Sequence, residues 1–303
     1  MAVPRPKPVE SALAGYGRGG MAASFFILGA TGQIGLHLRR RCAAAGREAL
    51  LLGRQVPAEP GGFARAQVDL ATPGRFPPLP PTGIATVPIW LLPPHLDALS
   101  AAGMRRLVAF STTSIFGKAE TRSAAERAQI EAAVAAEAAL GAAAGIGVTI
   151  LRPALIYGLG RDASISAAAR FIARFGFYPL WRGASGLRQP VHADDLAAAA
   201  LAVAERPDLA GRAFDLGGGE TMPYREMIGR IFDALGRPRR LVTVPGLPWA
   251  AAAYARLGGP ATLTADAVRR MGRDLAFDDG SAAAAFGYAP RRFLQRGRAD
   301  LGL

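Results

Sequence analysis

From Ser24 onward, short and nearly unbroken apolar runs alternate with longer stretches in which apolar residues recur every three or four positions. The apolar runs are Ser24 to Leu28, Leu50 to Leu52, Ala66 to Leu70, Ala85 to Leu92, Leu107 to Ser111 and Gly147 to Leu151. Runs of this length, bounded by Gly, Pro and polar residues, read as strands buried on both faces. Helical spacing fills the gaps at Ile34 to Ala45, Leu96 to Ala102 and Ala124 to Ala144. Strands alternating with helices at this interval predict an α/β fold, a doubly wound parallel sheet of the Rossmann type.

Beyond Pro153 the rhythm changes. Helical patterns dominate at Ile165 to Phe175, Asp194 to Glu205, Tyr224 to Leu235 and Leu247 to Arg256, and one apolar run, Ala213 to Leu216, is suited to rejoin the sheet. The expected organisation is a disordered extension over 1–22, a dinucleotide-binding domain over 23–155 joined by the strand near 213–217, and an interleaved, smaller, mostly helical substrate-side region over 156–303. Met21, directly before the first strand, is the alternative start of the protein. No run of 18 uncharged apolar residues occurs, so no membrane-spanning helix is expected, and the expected location is the cytoplasm.

The net charge of +13 raises the question of polyanion binding, yet only two lysines occur, Lys7 and Lys118, and the arginines are scattered through an Ala-, Gly- and Pro-rich chain. No basic stripe with interleaved aromatics is visible, so nucleic acid is not an expected partner. Contact with a membrane surface is kept as a weak secondary expectation, and the oligomeric state is left open. One cysteine, Cys42, excludes an intramolecular disulfide framework and reads as a buried, inert thiol in a helix. Three histidines without ligand spacing predict no metal site.

The chemistry concentrates in Gly29-Ala30-Thr31-Gly32-Gln33-Ile34-Gly35, between the first strand and the first helix. Glycines at this spacing permit a sharp turn and close approach of backbone to a pyrophosphate, and the helix start adds N–H groups and partial positive charge. After the second strand stands Arg54, where NAD-selective sites carry a carboxylate for the ribose hydroxyl and NADP sites carry arginine. The expected cofactor is therefore NADP(H), with NAD as the alternative. Asp69 is either an adenine contact or a turn carboxylate.

Five segments carry a resemblance: G-A-T-G-Q-I-G, F-S-T-T-S-I-F-G (Phe110 to Gly117), L-R-P-A-L-I-Y-G (Leu151 to Gly158), R-Q-P-V-H-A-D-D-L-A (Arg188 to Ala197) and F-D-L-G-G-G-E (Phe214 to Glu220). In this order and spacing the chain resembles the short-chain dehydrogenase/reductase superfamily, in its extended and atypical branches of sugar-nucleotide epimerase/dehydratase type. The resemblance implies that the hydroxyl of Thr112 holds the substrate oxygen. It also implies that Arg188 meets a substrate phosphate, with His192 in the same segment either contacting substrate or fixing the loop, so the expected substrate is a small molecule, phosphorylated or nucleotide-linked. The Tyr-x-x-x-Lys pair that normally serves proton transfer is absent: with Glu137 as anchor, its positions hold Gln129 and Ala133. Tyr157 is the one substitute proton donor the sequence offers, against a packing role. Three functions follow. The first is an NADP(H)-dependent oxidoreductase or epimerase-like enzyme exchanging hydride with a carbonyl or alcohol carbon; the second is a non-catalytic NADP(H)-binding module, a redox sensor or structural subunit. The third is a reductase of a quinone or lipid-like substrate, suggested by the apolar segment around Trp249.

Overall fold

The computed structural model describes residues 24–56, 63–72, 74–117, 121, 123–182, 184–256 and 265–302. The expected extension over 1–22 therefore lies outside the described residues.

The first half runs β1 (Phe25–Leu28), α1 (Gln33–Ala44), β2 (Ala49–Gly53), β3 (Arg65–Gln67), β4 (Thr82–Ala85), α2 (Leu96–Ala101), β5 (Arg106–Phe110), α3 (Ser114–Gly117), α4 (Ala124–Gly141) and β6 (Gly147–Pro153). The second half runs β7 (Leu155–Tyr157), α5 (Ile165–Phe175), β8 (Tyr178–Leu180), β9 (Leu187–Arg188), β10 (Pro190–His192), α6 (Ala193–Ala204), β11 (Ala213–Leu216), β12 (Met222–Pro223) and α7 (Tyr224–Ala234). It closes with β13 (Leu241–Thr243), α8 (Leu247–Arg256), α9 (Ala265–Arg269), α10 (Gly280–Phe286) and α11 (Arg298–Leu301).

Seven strands form one sheet in the order β3-β2-β1-β4-β5-β6-β11, with parallel registers from β3 through to β6. The bonds Gly211 N to Val148 O and Ile150 N to Arg212 O carry the same direction to β11. The chain leaves β1 toward β2 and β3, then returns to its other side at β4. This reversal of strand order is the position at which open α/β sheets bind ligands, beyond the carboxyl ends of the strands.

Contacts divide the chain into two units. Unit 1 comprises the described part of Met1–Ser111 with Ala133–Leu151 and Ala197–Ala213; unit 2 comprises the described parts of Thr112–Ala132, Arg152–Leu196 and Phe214–Leu303.

In unit 1, Phe26, Ile27, Leu28, Leu50, Leu52 and Ile84 are at most 1% exposed, as expected of central parallel strands covered on both faces. From α1, Ile34, Leu38 and Cys42 face the core at four-residue intervals. Burying such a leucine or isoleucine contributes about 1.5–3 kcal/mol. The fourth strand departs from expectation: it occupies Thr82–Ala85 rather than Ala85 to Leu92, and the apolar stretch after it folds as short 3₁₀ turns at Ile89–Leu91 and Pro93–His95. Pro88 opens the first of those turns. Gly83 belongs in the strand because a Cβ there would lie 2.3 Å from Cζ of Phe26, whose ring fills the space above it.

In unit 2, α5 and α7 enclose a core of Tyr157, Ile172, Leu180, Ile228 and Phe232. Three small sheets, β7 with β10, β9 with β12 and β8 with β13, add strand structure that the helical pattern hides.

Candidate functional site

In unit 1, the glycine loop leaves β1 with Gly29 at φ +87°, and a Cβ there would be 2.7 Å from Oγ1 of Thr86. A Cβ at Gly35 would lie 2.3 Å from the Gly29 carbonyl oxygen, so α1 can start this close to the turn only with glycine. Gly32 is the N-cap, and no side chain caps the helix. The helix start keeps its partial positive charge and backbone donors for an anion. The residues fit a dinucleotide pyrophosphate: a tight turn with no room for side chains at Gly29 and Gly35, ahead of a three-turn helix.

Thr86, just after β4, was not singled out by its sequence. Its N–H donates to the Leu28 carbonyl at 2.9 Å, and its hydroxyl lies 3.2 Å and 2.9 Å from the carbonyl oxygens of Leu28 and Gly29. Thr86 thereby ties the glycine turn to the neighbouring strand at the point of strand reversal. The misplaced fourth strand concealed it, since a threonine read as mid-strand carries no signal. From α1, the guanidinium of buried Arg39 donates to the Ala30 carbonyl at 3.3 Å.

Arg54 follows β2 directly and is exposed. Asp69 lies two residues beyond β3 and accepts a hydrogen bond from Ala71 N–H at 3.0 Å, the geometry of a turn carboxylate. His95 is buried, with Nε2 3.0 Å from the Leu70 carbonyl oxygen and its ring edge-on to Phe76.

In unit 2, Thr112 is half-buried, and its Oγ1 accepts from Ser114 N–H at 3.1 Å. That bond leaves the Thr112 proton available for another acceptor. Thr113 is buried and bonded to the Pro153 carbonyl at 3.2 Å, so the two neighbouring threonines differ in what they offer.

The other candidates of this unit have structural partners. Tyr157 has no exposed surface, its hydroxyl accepts from Leu294 N–H at 3.2 Å, and its ring meets His192 and Phe293 edge-on. Burial raises its pKa well above the ordinary phenol value, which opposes proton transfer near neutral pH. Arg188 is buried, and its guanidinium donates to the carbonyls of Leu187 (2.8 Å), Arg273 (2.7 Å) and Arg270 (2.5 Å) above the Tyr224 ring. Burial pushes its pKa down to about 10. His192 accepts from Asp194 N–H at 3.1 Å on Nδ1, and its Nε2 lies 3.8 Å from fully buried Asp300. Asp194, Asp195 and Asp300 surround Arg291 at 2.6, 2.7 and 3.8 Å.

The motif around Arg188 and the glycine run after β11 fit together through Gln189, another residue the sequence did not mark. Its amide donates to Gly218 O at 3.3 Å and accepts from Phe277 N–H at 3.1 Å, and a Cβ at Gly218 would overlap the Pro190 carbonyl at 1.7 Å. On α4, Gln129 is exposed and Ala133 fully buried, and neither a carboxamide nor a methyl group can serve as an acid or base.

Residues 95–217 match the NAD dependent epimerase/dehydratase family. Among curated proteins, uncharacterized protein y4nG of Sinorhizobium fredii is 26% identical over 230 residues, 68% of this chain and 57% of that protein. The mitochondrial NADH dehydrogenase (ubiquinone) 1 alpha subcomplex subunit 9 of Arabidopsis thaliana is 31% identical over 98 residues, 32% of this chain and 24% of that protein. The chain thus spans under two thirds of the length of the curated relatives it matches.

Solved structures extend the likeness over nearly the whole chain. MoeE5 in complex with UDP-glucose and NAD is 19% identical at a TM-score of 0.68, covering 91% of this chain and 96% of that one. DesIV, a dTDP-glucose 4,6-dehydratase from Streptomyces venezuelae with NAD and TYD bound, is 18% identical at 0.65, covering 91% and 95%. UDP-N-acetylglucosamine 4-epimerase from Bacillus cereus is 14% identical at 0.64, covering 91% and 94%. At these identities the epimerase/dehydratase likeness is one of fold. Among the described residues no helix is long and apolar enough to cross a membrane, and no cluster of His, Cys, Asp and Glu could hold a metal ion.

Proposed function

We propose that this chain binds NADP(H) on the glycine turn and acts as an oxidoreductase or epimerase-like enzyme on a small nucleotide-linked or phosphorylated substrate. The observation that carries the reading is the uncapped start of α1 behind two glycines whose Cβ atoms would collide with backbone or Thr86. In this reading the backbone of 29–35 takes the pyrophosphate and exposed Arg54 pairs with the 2′-phosphate, while Asp69 holds the turn after β3 with its second carboxylate oxygen left for adenine. The bound nicotinamide supplies or accepts hydride at a carbonyl or alcohol carbon. Thr112 directs its hydroxyl proton at the substrate oxygen. Arg188 and Tyr157 act as structural posts, because their polar atoms are committed to backbone. His192 fixes the β10–α6 corner.

Without the Tyr-Lys pair, proton transfer falls to water or to the substrate, and a missing positioned donor costs on the order of 10²–10⁴ in rate. That absence favours a second reading, an NADP(H)-binding module without turnover. Calorimetric titration with NADPH and NADH tests the cofactor assignment; equal affinities in the native protein would end it. Assay of a panel of sugar nucleotides, quinones and small carbonyls tests catalysis. Thr112→Val is expected to lower turnover about 10–100-fold while leaving NADPH affinity within about twofold. No turnover from any substrate, with NADPH still bound, would select the binding module.

A further inference from the structure

The helix α5 buries Ile165, Ala168, Ala169 and Ile172, a stripe spaced by three and four residues. The next position on that stripe is Phe175, yet its side chain is 53% exposed. Gly176, left-handed at φ 73°, ends the helix and turns the chain so that Phe177 comes beside it, 38% exposed. The rings of Phe175 and Phe177 lie 4.7 and 5.6 Å from that of Phe171 and 6.5 Å from each other. Val242 of β13, opposite Pro179 of β8, continues the apolar surface at 46% exposure.

Positive charge surrounds this tip. Arg174 Cζ lies 5.4 Å from the centre of the Phe175 ring, and Arg237 Nη1 reaches to 3.8 Å of where a Cβ on Gly176 would be. The Arg240 carbonyl accepts from Tyr178 N–H, which brings this third arginine to the same edge. Among the described residues none of the three has a carboxylate partner, and the α7 carboxylates Glu226 and Asp233 are both held by Arg239.

We propose that the end of α5, the Gly176 turn and the β8–β13 edge dock onto an anionic lipid bilayer, the phenyl rings entering the headgroup boundary and Arg174, Arg237 and Arg240 pairing with lipid phosphates. Apolar side chains on a turn rimmed by arginine match that boundary, and the net charge of +13 adds long-range attraction. A second copy of this chain would set the arginine rim against itself. Stacking of nucleic-acid bases needs open ring faces, whereas Arg174 covers Phe175 and the three phenyl rings pack on one another. The inference is independent of the proposed catalytic role.

The test is co-flotation of the full chain with vesicles of phosphatidylcholine alone or with about one third phosphatidylglycerol. Binding to the anionic vesicles only is expected. Phe175→Ser with Phe177→Ser is expected to weaken it about tenfold at unchanged charge, and Arg174→Gln with Arg237→Gln and Arg240→Gln by a similar factor. Arg40→Gln, Arg65→Gln and Arg75→Gln, three exposed arginines of unit 1, remove the same charge elsewhere and are expected to cost under threefold. Phe177→Trp is expected to give blue-shifted emission, quenched by brominated lipid, and so reports insertion even if the serine variant fails to fold. The proposal is overturned if the serine variant folds and floats like the native protein. It is equally overturned if the distant arginines matter as much as the local ones, if Phe177→Trp stays in water, or if the local variants lose oligonucleotide or acidic-protein binding while no vesicle binding occurs.

Discussion

The two units use their polar groups in opposite ways. In unit 1 the groups left open are the backbone of a glycine turn, an uncapped helix start and the exposed side chain of Arg54, with Thr86 and Arg39 fixing loop carbonyls from behind. In unit 2, Thr112 apart, the side chains that look chemical in the sequence are consumed by the fold. Arg188 saturates three carbonyls, Tyr157 receives a backbone N–H, and Asp300 lies fully buried among Arg291, Arg296 and His192. A charged residue in a familiar segment is therefore weaker evidence for a ligand than a glycine whose neighbours leave no room for a methyl group.

The sharpest way to break this contrast is to remove Arg188. Arg188→Ala removes three guanidinium bonds to part-buried carbonyls, leaves the Arg273 carbonyl without this donor and empties the space above the Tyr224 ring, and is expected to destabilise the protein by about 2–4 kcal/mol, read as a fall in Tm; Arg188→Lys should not restore it, since an ammonium lacks the planar fork. An unchanged Tm would return Arg188 to the substrate. Next, Gly35→Ala drives a methyl group into the Gly29 carbonyl and should weaken NADPH binding by about 30–100-fold in a calorimetric titration, while most of the fold survives. Arg54→Ala should cost about tenfold in NADPH affinity, leave NADH affinity unchanged and shift Tm little, because an exposed pair contributes to binding without supporting the core. The smallest effect is expected at Cys42. Burial pushes its thiol up to about 11, so the thiolate is scarce at pH 8 and alkylation should be far slower than in the unfolded chain, rising only as pH climbs toward that value. Fast labelling at pH 8 would mean that the core face of α1 opens readily.

Sheet and helices were largely legible in the sequence because parallel strands announce themselves as apolar runs. Helix α5 and strand β11 fall at Ile165–Phe175 and Ala213–Leu216, the limits the periodicity sets. The fourth strand was misread for two physical reasons. Its own residues, Thr82 and Gly83, look like a turn after a proline-rich stretch, whereas Ile89 to Leu92 look like a strand but follow Pro88 into 3₁₀ geometry. The glycine turn was legible as a tight strand-to-helix turn because its spacing is local. Thr86 and Gln189 were not, since their partners stand 57 and 29 residues away in the chain and nothing in either residue type announces the pairing. Phe175 shows the converse: it continues the spacing of the buried stripe on α5, but the burial ends one turn earlier at Ile172.

Phe26 and Gly83 hold a single volume jointly, on adjacent strands at the centre of the sheet. Any side chain at 83 collides with the ring, and any smaller residue at 26 opens a void beside a glycine that cannot fill it. Divergence at this pair must therefore pass through a weakened intermediate or change both residues at once, so the two positions should drift together among descendants of this chain while the apolar residues around them vary one at a time.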